Sequence, residues 1–178
     1  MLLRATSIAD THAIAAAVAA LSRAGDIIVL AGEMGAGKTA FAQGFGRALG
    51  VTDPITSPTF TLVHSYPCPD DRVTIHHADI YRLDSTGDVD ELALHELAEF
   101  GGIVLVEWGD VAAASLGDHL EVRLALDDDD DIDDDDDDDD DDDEFGLDGA
   151  RSIELHASGG VWAGRWDRLR DELGRFAC

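Results

Sequence analysis

The chain has 178 residues, 45% of them hydrophobic, enough for one domain with a real core. Its net charge of −27 speaks against direct nucleic-acid binding, although residues 127–144 alone carry 17 acidic charges and without them the balance is an ordinary −10. Cys68 and Cys178 stand too far apart in sequence to suggest a disulfide framework or a zinc site, and no apolar stretch is long enough to span a bilayer.

Residues 1–10 lack a basic segment followed by an apolar one, so no signal peptide is expected and the cytoplasm is the expected compartment. Residues 2–6 read as a short strand. Residues 10–22 are Ala-rich with Ile14, Val18 and Leu21 at helical spacing, capped by Ser7 or Asp10 and closed by Gly25. Residues 26–31 form an apolar run that reads as a buried strand. Directly after it comes G-E-M-G-A-G-K-T, from Gly32 to Thr39. This is the P-loop pattern in the context that gives it meaning: strand, glycine turn, helix start. The glycines permit φ > 0 and a close approach of backbone to polyphosphate. Successive backbone N–H groups and the helix N-terminus supply positive potential. Lys38 adds a charge for the β/γ-phosphates, and the Thr39 hydroxyl suits a Mg²⁺ ion.

Residues 38–49 predict the following helix, with Phe41, Phe45 and Leu49 on one stripe and Gly50 as its stop. Pro54 and Pro58 hold the next segment extended. Residues 61–66 and 73–79 read as two strands of a hairpin around a turn at 67–71. Residues 89–99 predict a short helix, and residues 102–107 another buried strand ending at Glu107-Trp108. Residues 119–126 alternate at Leu120, Val122, Leu124 and Leu126, with residues 152–156 as the antiparallel partner. The acidic tract at 127–144 lies between these two strands and is expected to be a disordered hairpin loop, because it repels itself and has no apolar surface to bury. Residues 160–176 carry Trp162, Trp166, Leu169 and Leu173 at helical spacing and predict a terminal amphipathic helix. The expected fold is α/β: a P-loop NTPase-like mixed sheet flanked by helices, one domain over residues 1–178, with a C-terminal β-hairpin carrying the acidic insertion.

Four segments in order carry a resemblance: G-E-M-G-A-G-K-T, S-P-T-F-T-L-V from Ser57, H-A-D-I-Y-R-L from His77, and V-E-W from Val106. Together, at these spacings, the chain resembles the TsaE (YjeE) family, the bacterial P-loop ATPases of tRNA threonylcarbamoyladenosine biosynthesis. The resemblance runs from about Thr11 to Arg151. It implies ATP and Mg²⁺ as cofactors and TsaB and TsaD as partner subunits. It also implies contact with tRNA only through them, and no membrane. It implies nucleotide contacts from Thr11, from Glu33, Met34, Gly35, Ala36, Gly37, Lys38, Thr39 and Ala40, and from Trp108 and Arg151. Two features depart from the family pattern. Ala40 stands where members commonly have a second Thr, and Glu33-Met34 stands where they usually have Asp-Leu. The acidic tract is no part of the family pattern.

Lys38, Asp79 and Glu107 are the candidate catalytic residues. Asp79 and Glu107 each end a predicted strand, where a carboxylate can bind metal or orient an attacking water; the alternatives are a cap and a solvated strand end. The metal set is Thr39 with one or both of Glu107 and Asp79. Trp108 reads either as a cover of the site, as a partner contact, or as core. Thr59 reads either as a γ-phosphate sensor or as part of a rigid loop. His77 reads as a hydrogen-bonded structural residue, and Arg82 as a solvated or phosphate-facing arginine. A small-molecule kinase and a nucleotide-dependent switch with little hydrolysis are the rival readings; the acidic stretch after Arg82 disfavours a kinase lid.

Overall fold

The computed structural model describes residues 1–58, 62–69, 73–81, 93–109, 113, 115–127 and 149–178. Thr59, Arg82, the first half of the expected helix at 89–99 and the acidic tract beyond Asp127 lie outside these residues. The strands are β1 (Leu2–Ala5), β2 (Ile27–Ala31), β3 (Val63–Pro67), β4 (Thr74–Asp79), β5 (Gly102–Glu107), β6 (His119–Leu126) and β7 (Arg151–Ser158). They form one sheet in the order β1-β7-β6-β2-β5-β4-β3. The inner strands β6, β2, β5 and β4 run parallel, and antiparallel pairs complete both edges. It is the mixed, helix-flanked sheet that the sequence implies, and β6 and β7 make the expected C-terminal hairpin.

The helices are α1 (Ile8–Leu21), α2 (Lys38–Ala48), α3 (Leu94–Glu99) and α4 (Trp166–Leu173). Every residue of β2 and β5 is buried, as expected for parallel strands covered on both faces. The two-residue period divides their side chains. Ile28, Leu30, Ile103 and Leu105 join Ile14, Val18, Phe41 and Phe45 in the larger core under α1 and α2. Ile27, Val29, Val104 and Val106 join Leu94 and Ala98 of α3 on the opposite face. Each fully buried aliphatic or Phe side chain contributes about 1.5–3 kcal/mol by leaving water.

This alternation also aims the polar strand ends. Glu107 falls on the same face as Ile103 and Leu105, and Asp79 on the same face as Ile75 and His77, with Asp79 opposite Glu107 in register. Both carboxylates therefore lie on the α2 side, at the C-terminal edge of the parallel strands, where α/β sheets bind ligands.

Ser7 is the N-cap of α1; its Oγ accepts from the Asp10 N–H at 3.2 Å, while Asp10 accepts from the N–H and hydroxyl of Thr6. The C-terminal helix is shorter than its apolar spacing implies. Trp162 is fully buried, but in a turn before α4. The cause is Arg165, whose guanidinium makes a buried bidentate pair with Asp26 at 2.6 and 2.8 Å and also donates to the Leu21 and Val161 carbonyls. Four such bonds fix this turn against the start of β2, and the helix begins only after it. Among the described residues, no helix is long and apolar enough to cross a membrane.

Candidate active site at the P-loop

The loop between β2 and α2 has the left-handed backbone that its glycines permit. Gly32 has φ +132°, and a side chain there would collide with the Leu124 carbonyl of β6. Gly37 is the N-cap of α2 with φ +100°, and a Cβ there would lie 3.3 Å from Nε of Arg151. Both positions therefore exclude larger residues for two reasons, conformation and space. Glu33, Met34 and Gly35 form the exposed crest of the loop, whereas Ala36, Gly37, Lys38 and Ala40 are buried beneath it. Ala40 brings no hydroxyl to the position where a second Thr is common.

Lys38 is only 5% exposed. Its Nζ donates to the Gly32 carbonyl at 2.9 Å and the Glu33 carbonyl at 2.7 Å, and it lies 3.6 Å from the centroid of the Trp108 ring. A buried ammonium needs such compensation, and here two carbonyls and an aromatic face supply it. Trp108 is half-buried and has φ +62°, a strained value for a residue with a side chain. Its N–H donates to the Leu30 carbonyl at 2.9 Å, and the Tyr81 ring packs on it at 4.7 Å. Of the three readings left open for Trp108, the structure puts it beside the P-loop lysine.

Thr39 Oγ1 donates to Oε1 of Glu107 at 2.9 Å. The same oxygen is 2.9 Å from Nε2 of His77, which is fully buried. The His77 hydrogen bond expected from the sequence therefore exists, and its acceptor is a candidate site residue. Asp79 is engaged differently. Its Oδ2 accepts from the Ser57 hydroxyl at 2.8 Å and its Oδ1 from the Tyr81 N–H at 3.0 Å. Thr39 and Glu107 are thus a hard-oxygen pair suited to Mg²⁺, which takes carboxylate and hydroxyl oxygens together with those of a bound phosphate. Among the described residues no three His, Cys, Asp or Glu side chains converge on a cation site.

Arg151, the first residue of β7, is fully buried against Gly37. Thr11 is also fully buried, in the first turn of α1, with Oγ1 directed at the Ser7 carbonyl. Lys38, Thr39, Glu107, Trp108 and Arg151 are therefore linked at one loop, with Asp79 opposite Glu107 in register, whereas the side-chain hydrogen bond of Thr11 goes to the N-cap of α1. Ser57 and Tyr81 were not singled out from the sequence. Both stand inside the S-P-T-F and H-A-D-I-Y-R-L segments, which was the available signal.

A sequence profile described as "Threonylcarbamoyl adenosine biosynthesis protein TsaE" matches residues 5–134. The chain is 38% identical over 107 residues to the tRNA threonylcarbamoyladenosine biosynthesis protein TsaE of Bacillus subtilis, covering 60% of this chain and 65% of that one. It is 37% identical over 110 residues to the protein of the same name from Treponema pallidum, covering 62% of this chain and 79% of that one. The crystal structure of Bacillus subtilis YdiB matches the fold with a TM-score of 0.67 at 28% identity, over 98% of this chain and 94% of that one. The profile spans well over half of the sequence, and the chain belongs to the TsaE family.

Proposed function

We propose that this chain is an ATPase of tRNA threonylcarbamoyladenosine biosynthesis, and that it couples hydrolysis to the TsaB and TsaD subunits of the threonylcarbamoyl transferase. It meets tRNA only through those subunits, in keeping with its acidic balance. The observation that carries the reading is the convergence of Lys38, Thr39 and Glu107 at a loop with P-loop backbone. The relatives' names supply the pathway.

In this reading the β- and γ-phosphates of ATP lie over residues 32–39. Lys38 exchanges carbonyl and aromatic partners for phosphate oxygens. Thr39 and Glu107 would hold Mg²⁺, and the ion would supply positive charge for the phosphate oxygens. Asp79, tied to Ser57 and the Tyr81 backbone, fastens the segment before β3 beside the site. The water oxygen forms a bond to the γ-phosphorus while the bond to the β–γ bridging oxygen breaks. The electron pair leaves on ADP, and both protons of the water end on the released phosphate as H₂PO₄⁻. The two carboxylates at the strand ends are the groups available to orient that water.

The test is Lys38→Ala. ATP binding measured by calorimetry, and phosphate release in the presence of TsaB and TsaD, are expected to fall by roughly ten-fold or more, since a charge-assisted bond is worth about 1.5–3 kcal/mol. Wild-type affinity and turnover in this variant would refute the assignment of residues 32–39 as the phosphate cradle. Product analysis with the wild-type chain separates the rivals: free phosphate marks an ATPase, a phosphorylated metabolite a kinase.

A further inference from the structure

We propose that His77 is a positioning residue that fixes the Glu107 carboxylate for metal and water; this rests on the ATPase reading above. His77 sits on β4 one strand away from Glu107. In the parallel register it pairs with Leu105, so Glu107 is its diagonal neighbour on the same face. Its side chain is fully buried, and Nε2 reaches Oε1 of Glu107 at 2.9 Å. Oε1 already accepts from the Thr39 hydroxyl, so the contact is a hydrogen bond in the tautomer that carries its proton on Nε2. Nδ1 is buried and has no hydrogen-bond partner among the described residues. The imidazole therefore spends its one satisfied polar contact on Glu107.

Oε1 of Glu107 accepts from two sides at once, from Thr39 on α2 and from His77 on β4. Two donors that approach one oxygen from different elements fix the plane of the carboxylate. Both contacts fall on Oε1, so one edge of the carboxylate is anchored from two elements. Thr39 alone cannot fix that plane, because its hydroxyl rotates freely. Second contacts of this kind orient a ligating group without touching the substrate. A purely structural histidine in this place would fill space among Ile75 and Leu105; it would not need its proton on the nitrogen that faces Glu107.

The experiment compares His77→Leu, His77→Gln and Glu107→Gln, singly and combined, in the full chain with TsaB and TsaD. His77→Leu is expected to lower kcat for phosphate release by about ten-fold with KM for ATP within about two-fold. His77→Gln, which keeps an N–H donor, is expected to recover most of that loss. In the Glu107→Gln background, His77→Leu is expected to add little, because it acts through that carboxylate. A second arm needs no nucleotide: ¹⁵N spectra of the imidazole are expected to show the Nε2–H tautomer, perturbed by Glu107→Ala. Wild-type kcat in His77→Leu would overturn the proposal, as would a loss undiminished in the Glu107→Gln background. Should His77→Leu fail to fold, as judged by its melting curve, His77→Gln with less than about a tenth of wild-type kcat would also overturn it. A wild-type chain that releases no phosphate would sink the ATPase reading instead, while the spectra still decide whether His77 donates to Glu107.

Discussion

Asp79 and Glu107 look equivalent in sequence, each an acidic residue at a strand end, yet their hydrogen bonds differ. Glu107 Oε1 accepts from the Thr39 hydroxyl, whereas the Asp79 oxygens accept one bond each, from the Ser57 hydroxyl and the Tyr81 N–H. The two positions should therefore fail differently. Glu107→Gln keeps shape but removes charge from the Thr39 side. Turnover is expected to fall by about 10²-fold or more and the Mg²⁺ requirement to rise, with ATP affinity changed less. Asp79→Asn should retain more Mg²⁺ dependence and instead increase protease sensitivity around residues 55–58. Magnesium titrations of phosphate release, with limited proteolysis alongside, measure both. Equal magnesium effects in the two variants would erase the distinction. Gly37 and Gly35 offer a paired test of the loop. Both have positive φ, but a Cβ at Gly35 meets nothing within 4 Å, whereas one at Gly37 lies 3.3 Å from Arg151. Gly35→Ala is expected to cost about 1 kcal/mol of stability from conformation alone. Gly37→Ala should cost more and should weaken ATP binding by displacing Arg151. Denaturant midpoints and calorimetry report the two quantities; identical losses would mean that Arg151 yields freely.

At the scale of elements, the α1–α2 contact and the start of β4 each carry a histidine whose environment disfavours charge. Burial pushes the His12 pKa down, helped by the Arg47 guanidinium, and burial alone lowers that of His76. A lowered folded pKa means that the unfolded chain binds more protons, so these groups contribute stability above their unfolded value of about 6.5. That contribution is lost as pH falls through the lowered folded values. The denaturant midpoint is accordingly expected to drop between pH 7.5 and 5, and His12→Gln combined with His76→Gln should flatten the slope. A midpoint that rises on acidification would contradict this sign. The elements themselves were mostly readable from the sequence. Alternation at Leu120, Val122 and Leu124, the apolar runs of β2 and β5, and the stripe of Phe41 and Phe45 are local signals, and each one produced its element. Trp162 shows where local signals end. Its helical spacing with Trp166 came from burial, but a distant partner, Asp26, holds Arg165 and delays the helix. The same limit applies in the site. The motif fixes Lys38 and Thr39, whereas the bonds of His77 and Ser57 follow from strand register and loop path, which no single segment encodes.

For the whole molecule, the proposed coupling to TsaB and TsaD has a physical rationale. Phosphoryl transfer depends on positioning and on positive charge around the γ-phosphate. Among the described residues Lys38 is the cation that contacts the loop carbonyls, and two of those carbonyls and the Trp108 ring hold it. Arg151 is close, but it is buried against Gly37 rather than directed outward. The segment carrying Ser57 and Pro58 is fastened to the site through Asp79 by a side-chain hydrogen bond of 2.8 Å. A bond of that kind, worth about 1–3 kcal/mol, is weak enough for a partner to remake. A surface that orders this segment, or that adds a charge, would raise the rate with no change in residues 32–39. The lone chain is therefore expected to hydrolyse ATP slowly and to gain at least about ten-fold in steady-state phosphate release when TsaB and TsaD are added. Ser57→Ala should raise the basal rate or lower the partner-stimulated rate while leaving ATP affinity within about two-fold, because the Ser57 hydroxyl is bonded to Asp79. Fast hydrolysis by the isolated chain, unchanged by either subunit, would instead mark a stand-alone NTPase whose positioning is already complete.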